Sequence, residues 1–293
     1  MFPTVLVMLA LDHRDNSILD AVVDSAPLLG FGRIIVLNVH NRDPLPAPLA
    51  ALNADRPAPA EPAELEAARA RLAEALPDSK VETLFLIGTP EVELRAAIDN
   101  HDVDLVVMGR NPSVDGQPGW GSARRKLLRL TTCSVLVVPY GSRMNLERVV
   151  VGMDFSQYAT MSMAVACRVA KGIDAVYQYD ADTLGDSGVK HEEFRGKLHQ
   201  HAREWFEDTL PKIGCAGRHP NFISHSGGKV ADVLIAYAKA DPIVMGSRGL
   251  TPLAALLLGS SADRTAGRSQ GPVFIVRKKG STMSLVERLF HRI

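Results

Sequence analysis

Short unbroken apolar runs alternate along this chain with segments in which apolar residues return every three or four positions. The first run, residues 5–11, stops at Asp12, the pattern of a parallel strand covered on both faces. Asp15 or Asn16 can cap the next helix, where Ile18, Leu19, Val22, Val23 and Ala26 share one face until Gly30 and Gly32 end it. Residues 34–39 form the second strand. Prolines at 44, 46, 48, 57, 59 and 62 make residues 41–62 an extended loop, because proline sustains neither a ladder nor a helix interior. A helix with Leu65, Ala68, Leu72 and Leu76 on one face follows. Then come strand 81–87, helix 91–100, strand 105–108, a loop containing glycine, and strand 135–138.

After residue 146 the pattern restarts. Residues 148–153 lead to Asp154 as 5–11 lead to Asp12, and Ser156 can cap a helix carrying Met163, Ala166, Cys167 and Ala170. Strand 175–179, a helix marked by Phe194, Leu198, His201 and Trp205, strand 222–225, helix 230–238 and strands 243–245 and 273–276 complete this half. Val106-Val107-Met108-Gly109 is answered 137 residues later by Ile243-Val244-Met245-Gly246, and 134–139 by 272–277 at an offset of 138. Such β-α alternation predicts an α/β fold of two tandem, doubly wound, parallel five-stranded sheets with right-handed crossovers. The domains span 1–144 and 145–280, with an amphipathic helix at 281–293. There Ser284 and Glu287 form a capping box, and Met283, Val286, Leu289, Phe290 and Ile293 share a face.

The distinctive chemistry lies before the last strand. Gly246, Gly249 and Gly259 lack a Cβ, so backbone N–H groups can approach a ligand and unusual φ values cost little. Ser260 and Asp263 have the spacing of a capping box at a helix N-terminus, where the N–H groups and the dipole favour an anion. A glycine loop after a strand of an α/β sheet is where a phosphate would bind. Inside it, residues 253–258 are apolar, either a turn packed on its own domain or a ligand-dependent contact surface.

The spacing Gly246-x2-Gly249-x9-Gly259-Ser260 resembles, without a gap, the nucleotide loop of ATP-binding universal stress proteins, and residues 271–276 resemble their last strand. The resemblance implies that Met245, Gly246, Gly249, Gly259, Ser260 and Ser261 meet ribose and phosphates. It covers nearly the whole chain as two such domains, and implies that strands 135–138 and 273–276 join the halves as an internal pseudo-dimer. Val151-Gly152-Met153-Asp154-Phe155-Ser156 looks like the family's first-strand motif, with Gly152 where proline often sits and Asp154 as the nucleoside contact. An aspartate at a strand's carboxyl end faces the crevice that binds ligands in open α/β sheets; it serves equally as a turn residue or cap. Tyr179 corresponds to the second-strand position whose backbone meets adenine.

In the first half Gly109 and Gly121-Ser122 remain, but Pro112 replaces the second glycine and the interval is one residue shorter. Proline has no N–H to offer. This half therefore reads as a degenerate site, leaving one nucleotide per chain, although Gly116 or Gly119 could still serve a phosphate. Arg124, Arg125 and Lys126 read as a solvated helix face. Ser226-Gly227-Gly228-Lys229 lacks the Asp-Ser that follows the Ser-Gly-Gly loop of ATP pyrophosphatases. It reads as a turn bordering the phosphates, with Lys229 a candidate contact.

Bulk properties narrow the function. Basic and acidic residues balance at 33 each, so no global field draws nucleic acid or an anionic membrane. Cys133, Cys167 and Cys215 show no Cys-x2-Cys spacing and suggest reduced thiols in a cytosol, the first two as core thiols, with no structural metal. Runs of about 18 apolar residues are absent, and no basic segment precedes Asp12, so neither a membrane span nor a signal peptide is expected. His199 and His201 would lie about 200° apart on a helix and cannot share a metal. No triad pattern or general base is visible. The expectation is a cytoplasmic, non-catalytic stress-response sensor that binds ATP with Mg²⁺, has a protein partner and has the option of homodimerising. The competing readings are a nucleotide-independent scaffold and an ATP hydrolase.

Overall fold

The computed structural model describes residues 1–42, 59–110, 122–180, 191–249 and 258–279. Most of the proline loop, the segment carrying Pro112, Gly116, Gly119 and Gly121, residues 253–257 and the expected helix at 281–293 lie outside them.

The first half runs β1 (Thr4–Met8), α1 (Asn16–Leu29), β2 (Arg33–Asn41), α2 (Ala63–Ala75), β3 (Lys80–Gly88), α3 (Pro90–Asn100), β4 (Leu105–Arg110), α4 (Ser122–Leu130) and β5 (Ser134–Pro139). The second runs β6 (Arg148–Met153), α5 (Gln157–Val169), β7 (Gly172–Tyr179), α6 (His191–Lys212), β8 (Asn221–Ser226), α7 (Val230–Ala238), β9 (Ile243–Gly246), α8 (Ser260–Arg268) and β10 (Val273–Val276). All ten strands form one sheet, in the order β3-β2-β1-β4-β5-β10-β9-β6-β7-β8. Pairing is parallel within each half. The halves meet where β10 runs antiparallel to β5, with Val273 opposite Val137 and Ile275 opposite Val135. The two last strands thus join the tandem units, as the family resemblance implies.

Successive strand residues point to opposite faces, and both faces are covered. Val5, Val7, Ile34, Val36, Leu105 and Val107 pack with α1 and α2 on one side, whereas Leu6, Val106, Val135 and Val137 pack with α3 and α4 on the other. This explains the unbroken apolar runs.

Local expectations are corrected or refined at four places. Asp15 holds the N-cap position of α1 but without a side-chain cap bond, its carboxylate turning back to accept the N–H groups of Ala10, Leu11 and Asp12; the side-chain cap lies one turn earlier, where the Asp12 carboxylate accepts the Arg14 N–H at 2.9 Å and starts a 3₁₀ turn. The buried residues of α6 include Ala202 and Phe206, while Trp205, expected on the inner stripe, is 65% exposed. The thiols of Cys167 and Cys215 are joined in a disulfide between the end of α5 and the turn after α6, with Cα atoms 5.7 Å apart. Sequence spacing could not show that the α5–α6 packing brings residues 48 apart together. Arg125 and Lys126 lie exposed, as a solvated face implies, and Arg125 in addition donates to the buried Asp263 carboxylate at 3.0 Å, as Arg129 does at 2.8 Å.

Two buried arginines bridge the seam in matching ways. Arg110 donates to the carbonyls of Gly267 and Ser269 at the end of α8. Arg277 donates to the carbonyls of Leu128 and Thr131 at the end of α4. Each guanidinium satisfies carbonyls that the last helical turn leaves without partners, at the negative end of the helix dipole.

Candidate functional site

A cavity of about 580 Å³ opens at the carboxyl ends of β9, β6 and β7. Its floor comes from β6 and the residue after it, through Gly152, Met153 and Asp154. Met245, Gly246, Ser247, Arg248 and Gly249 border one side, where Gly259, Ser260 and Ser261 bring in the start of α8. On the far side stand Val176 and Gln178 of β7 with Val230 and Leu234 of α7.

Eight of the nine residues expected at a nucleotide therefore line one cavity: Gly152, Asp154, Met245, Gly246, Gly249, Gly259, Ser260 and Ser261. Tyr179 does not. Its ring stacks on Tyr177 at 6.0 Å between centroids, and strand alternation instead turns Val176 and Gln178 to the cavity. Lys229 caps α7 from outside the lining, while its neighbour Val230 lines the wall.

Close packing rather than backbone conformation demands the three loop glycines. None has a positive φ. A Cβ on Gly249 would sit 2.5 Å from Asp154 Oδ2, one on Gly246 2.6 Å from Tyr158 Cβ, and one on Gly259 3.1 Å from the Ser247 carbonyl oxygen. The amide of Gly259 donates to that same carbonyl at 2.8 Å, which folds the loop's end against its beginning.

Gly259 is the N-cap of α8 and no side chain caps the helix. Ser260 and Asp263 do not form the expected capping box, because the Asp263 carboxylate faces Arg125 and Arg129 across the seam. With glycine at the N-cap, that residue offers no side-chain acceptor to the first-turn N–H groups of α8 at the cavity's edge, where a helix N-terminus favours an anion. Asp154 takes the turn role and also lies in the cavity lining. Its Oδ1 accepts the Ser156 N–H at 3.0 Å. Ser156 caps α5 by accepting the Ala159 N–H at 3.2 Å. The Arg248 guanidinium, missed in the sequence, lies 5.9 Å from the centre of the Tyr158 ring at the cavity wall; its place between the first two glycines was the available signal.

The corresponding place in the first half holds a cavity of only about 170 Å³. In register, Met8 pairs with Leu37 and Met108 as Gly152 pairs with Val176 and lies level with Met245. Leu11 and Phe155, with φ of 62° and 60°, mark equivalent points after the first strand. Asp154 is therefore matched by Ala10, not by Asp12, which instead takes the place of the capping Ser156.

The family model described as the universal stress protein family matches residues 1–139 and 145–277. The chain belongs to this family. A universal stress protein of Methanocaldococcus jannaschii is 29% identical over 140 residues, covering 45% of this chain and 82% of that protein. A universal stress protein from Archaeoglobus fulgidus superimposes with a TM-score of 0.65 at 21% identity, covering 94% of this chain and 99% of the other. A putative universal stress protein from Pseudomonas aeruginosa gives 0.66 at 15% identity, covering 98% and 97%. At those identities the structural likeness establishes the tandem universal stress fold. No helix among the described residues is long and apolar enough to cross a membrane.

Proposed function

We propose that this universal stress protein binds one adenine nucleotide per chain, ATP accompanied by Mg²⁺, in the C-terminal cavity, and acts in the cytoplasm as a non-catalytic stress-response sensor. The observation that carries the reading is the glycine-lined end of the cavity at the start of α8. Three glycines there pack so closely that a Cβ would force a neighbour to shift, and the N-cap of α8 is itself a glycine without a capping side chain. The hydroxyls of Ser260 and Ser261 and the Arg248 guanidinium add donors on the same side. The apolar far wall suits a flat base, and Asp154 lies between the two ends for a ribose. Mg²⁺ would enter on the phosphates. Among the described residues no three His, Cys, Asp or Glu side chains converge on a metal, so phosphate and water oxygens would supply most of its ligands.

The test is to denature freshly purified protein, chromatograph the supernatant for released nucleotide, and titrate the apo protein calorimetrically with ATP and Mg²⁺. One equivalent per chain is expected, abolished by Gly259→Val in a variant whose melting temperature shows that it still folds. Neither released nucleotide nor titratable heat would leave the scaffold reading in its place. Steady-state turnover above background would replace the sensor with a hydrolase.

A further inference from the structure

Within the cavity's far wall one polar side chain stands among apolar ones. Val176, Val230 and Leu234 stand beside Gln178 there, while the other polar side chains of the lining belong to Asp154, the glycine loop and the start of α8. Gln178 is not free to turn. Its Nε2 donates to the carbonyl oxygens of Gly227 at 3.3 Å and Gly228 at 3.1 Å. These two glycines adopt successive left-handed conformations, with φ of 79° and 77°, and the Gly227 amide is anchored on the Tyr179 carbonyl at 2.8 Å. Carbonyl oxygens only accept, so they fix which end of the amide is nitrogen. The planar group leaves Oε1, a pure acceptor, as its remaining atom for an occupant of the cavity.

We propose that Gln178 is the base-selecting residue of this site, its Oε1 accepting a hydrogen bond from the exocyclic amine of a 6-aminopurine. This assignment rests on the nucleotide reading above and adds the group that distinguishes the base. A 6-oxopurine would bring a second acceptor against Oε1. Two acceptors that face each other where the base covers them leave both unpaired, which discriminates more strongly than a lost contact alone. The double left-handed turn at Gly227 and Gly228 has a role in this scheme. It holds the amide in the orientation that rejects the oxo group.

The experiment compares binding of ATP, inosine triphosphate and purine riboside triphosphate, which bears hydrogen at the 6 position, to the wild-type protein and to Gln178→Met. Wild type should bind purine riboside triphosphate about three- to tenfold more weakly than ATP, the worth of one neutral hydrogen bond. Inosine triphosphate should be weaker still. Gln178→Met, similar in length and without an acceptor oxygen, should lose most of the ATP preference chiefly through weaker ATP binding. Equal wild-type affinity for all three would overturn the base assignment while leaving the nucleotide site intact. So would a folded Gln178→Met that keeps the full ATP preference. If the wild type binds none of the three, the nucleotide reading fails and this assignment fails with it. The wild-type comparison stands even where the variant folds poorly.

Discussion

The glycines at the loop differ in what a side chain would meet. At Gly246 and Gly259 the obstacles include backbone, so any substitution moves the chain itself, whereas a Cβ on Gly109 would meet first the Cδ1 end of Ile18 at 2.8 Å, which can turn aside. Residue chemistry also separates the cysteines. Cys133 is 1% exposed and burial pushes its thiol up to about 12, so at pH 8 it is an un-ionised and shielded group that does not act as a nucleophile. Cys167 and Cys215 are spent on each other. Unreduced native protein at pH 8 should therefore show no thiol reactive toward an aromatic disulfide reagent. Denaturation without reductant should release one, and denaturation with reductant three. Three thiols without reductant would mean that the bond is open in solution. Cys215→Ala should lower unfolding stability by about 2–4 kcal/mol if the bond is closed, since a cross-link over this separation restricts the unfolded chain.

The two first strands, β1 and β6, carry the difference between the halves. They share register with their neighbours, yet Met8 fills in β1 the space that Gly152 leaves open in β6. A Cβ on Gly152 would meet Leu234 Cδ1 at 3.0 Å, the tip of a side chain and not backbone. Gly152→Met should therefore fold, because the first half accommodates methionine at the same place. It should weaken ATP binding by at least about 100-fold by occupying the base end of the cavity, a loss of nearly 3 kcal/mol. Calorimetry with a melting curve as control decides this; a folded variant with unchanged affinity would place the base elsewhere. Here sequence and structure part company in an instructive way. The alternation of strands and helices, the repeat and the glycine loop were legible because period and turn chemistry are local. The match of Ala10 to Asp154 was not, because Asp12 and Asp154 each follow an apolar run and only the paired turns at Leu11 and Phe155 reveal a shift of two residues. Nor was it legible that the Gln178 side chain and not that of Tyr179 lines the cavity, since one residue of strand phase reverses the face and no motif fixes that phase. Trp205 misled for a related reason: its size suggests burial, while the neighbouring Phe206 takes the inner position.

At the scale of the whole molecule, tandem duplication permits a contact that a homodimer could not make. The halves meet about a pseudo-twofold axis, and α4 and α8 are counterparts on either side of it. Asp263 pairs with Arg125, its own counterpart 138 positions earlier, and with Arg129 on the same helix. Two identical chains joined this way would place like charges opposite each other, whereas a single chain can hold opposite charges at the two positions. Because Asp263 is only 5% exposed, replacing it with a cation is costly, though the two arginines remain about half open to water and their repulsion is screened. Asp263→Arg should lower unfolding stability by about 2–3 kcal/mol, with the loss shrinking in high salt as exposed charges are screened. Arg125→Asp in the same chain should restore more than half of it, since the pair is rebuilt with its signs exchanged while Arg129 gains an acidic neighbour. A double-mutant cycle in urea denaturation measures the coupling. An Asp263→Arg loss no larger than that of Asp263→Ala, with no recovery in the exchanged pair, would show that Asp263 serves the seam through packing and not through charge.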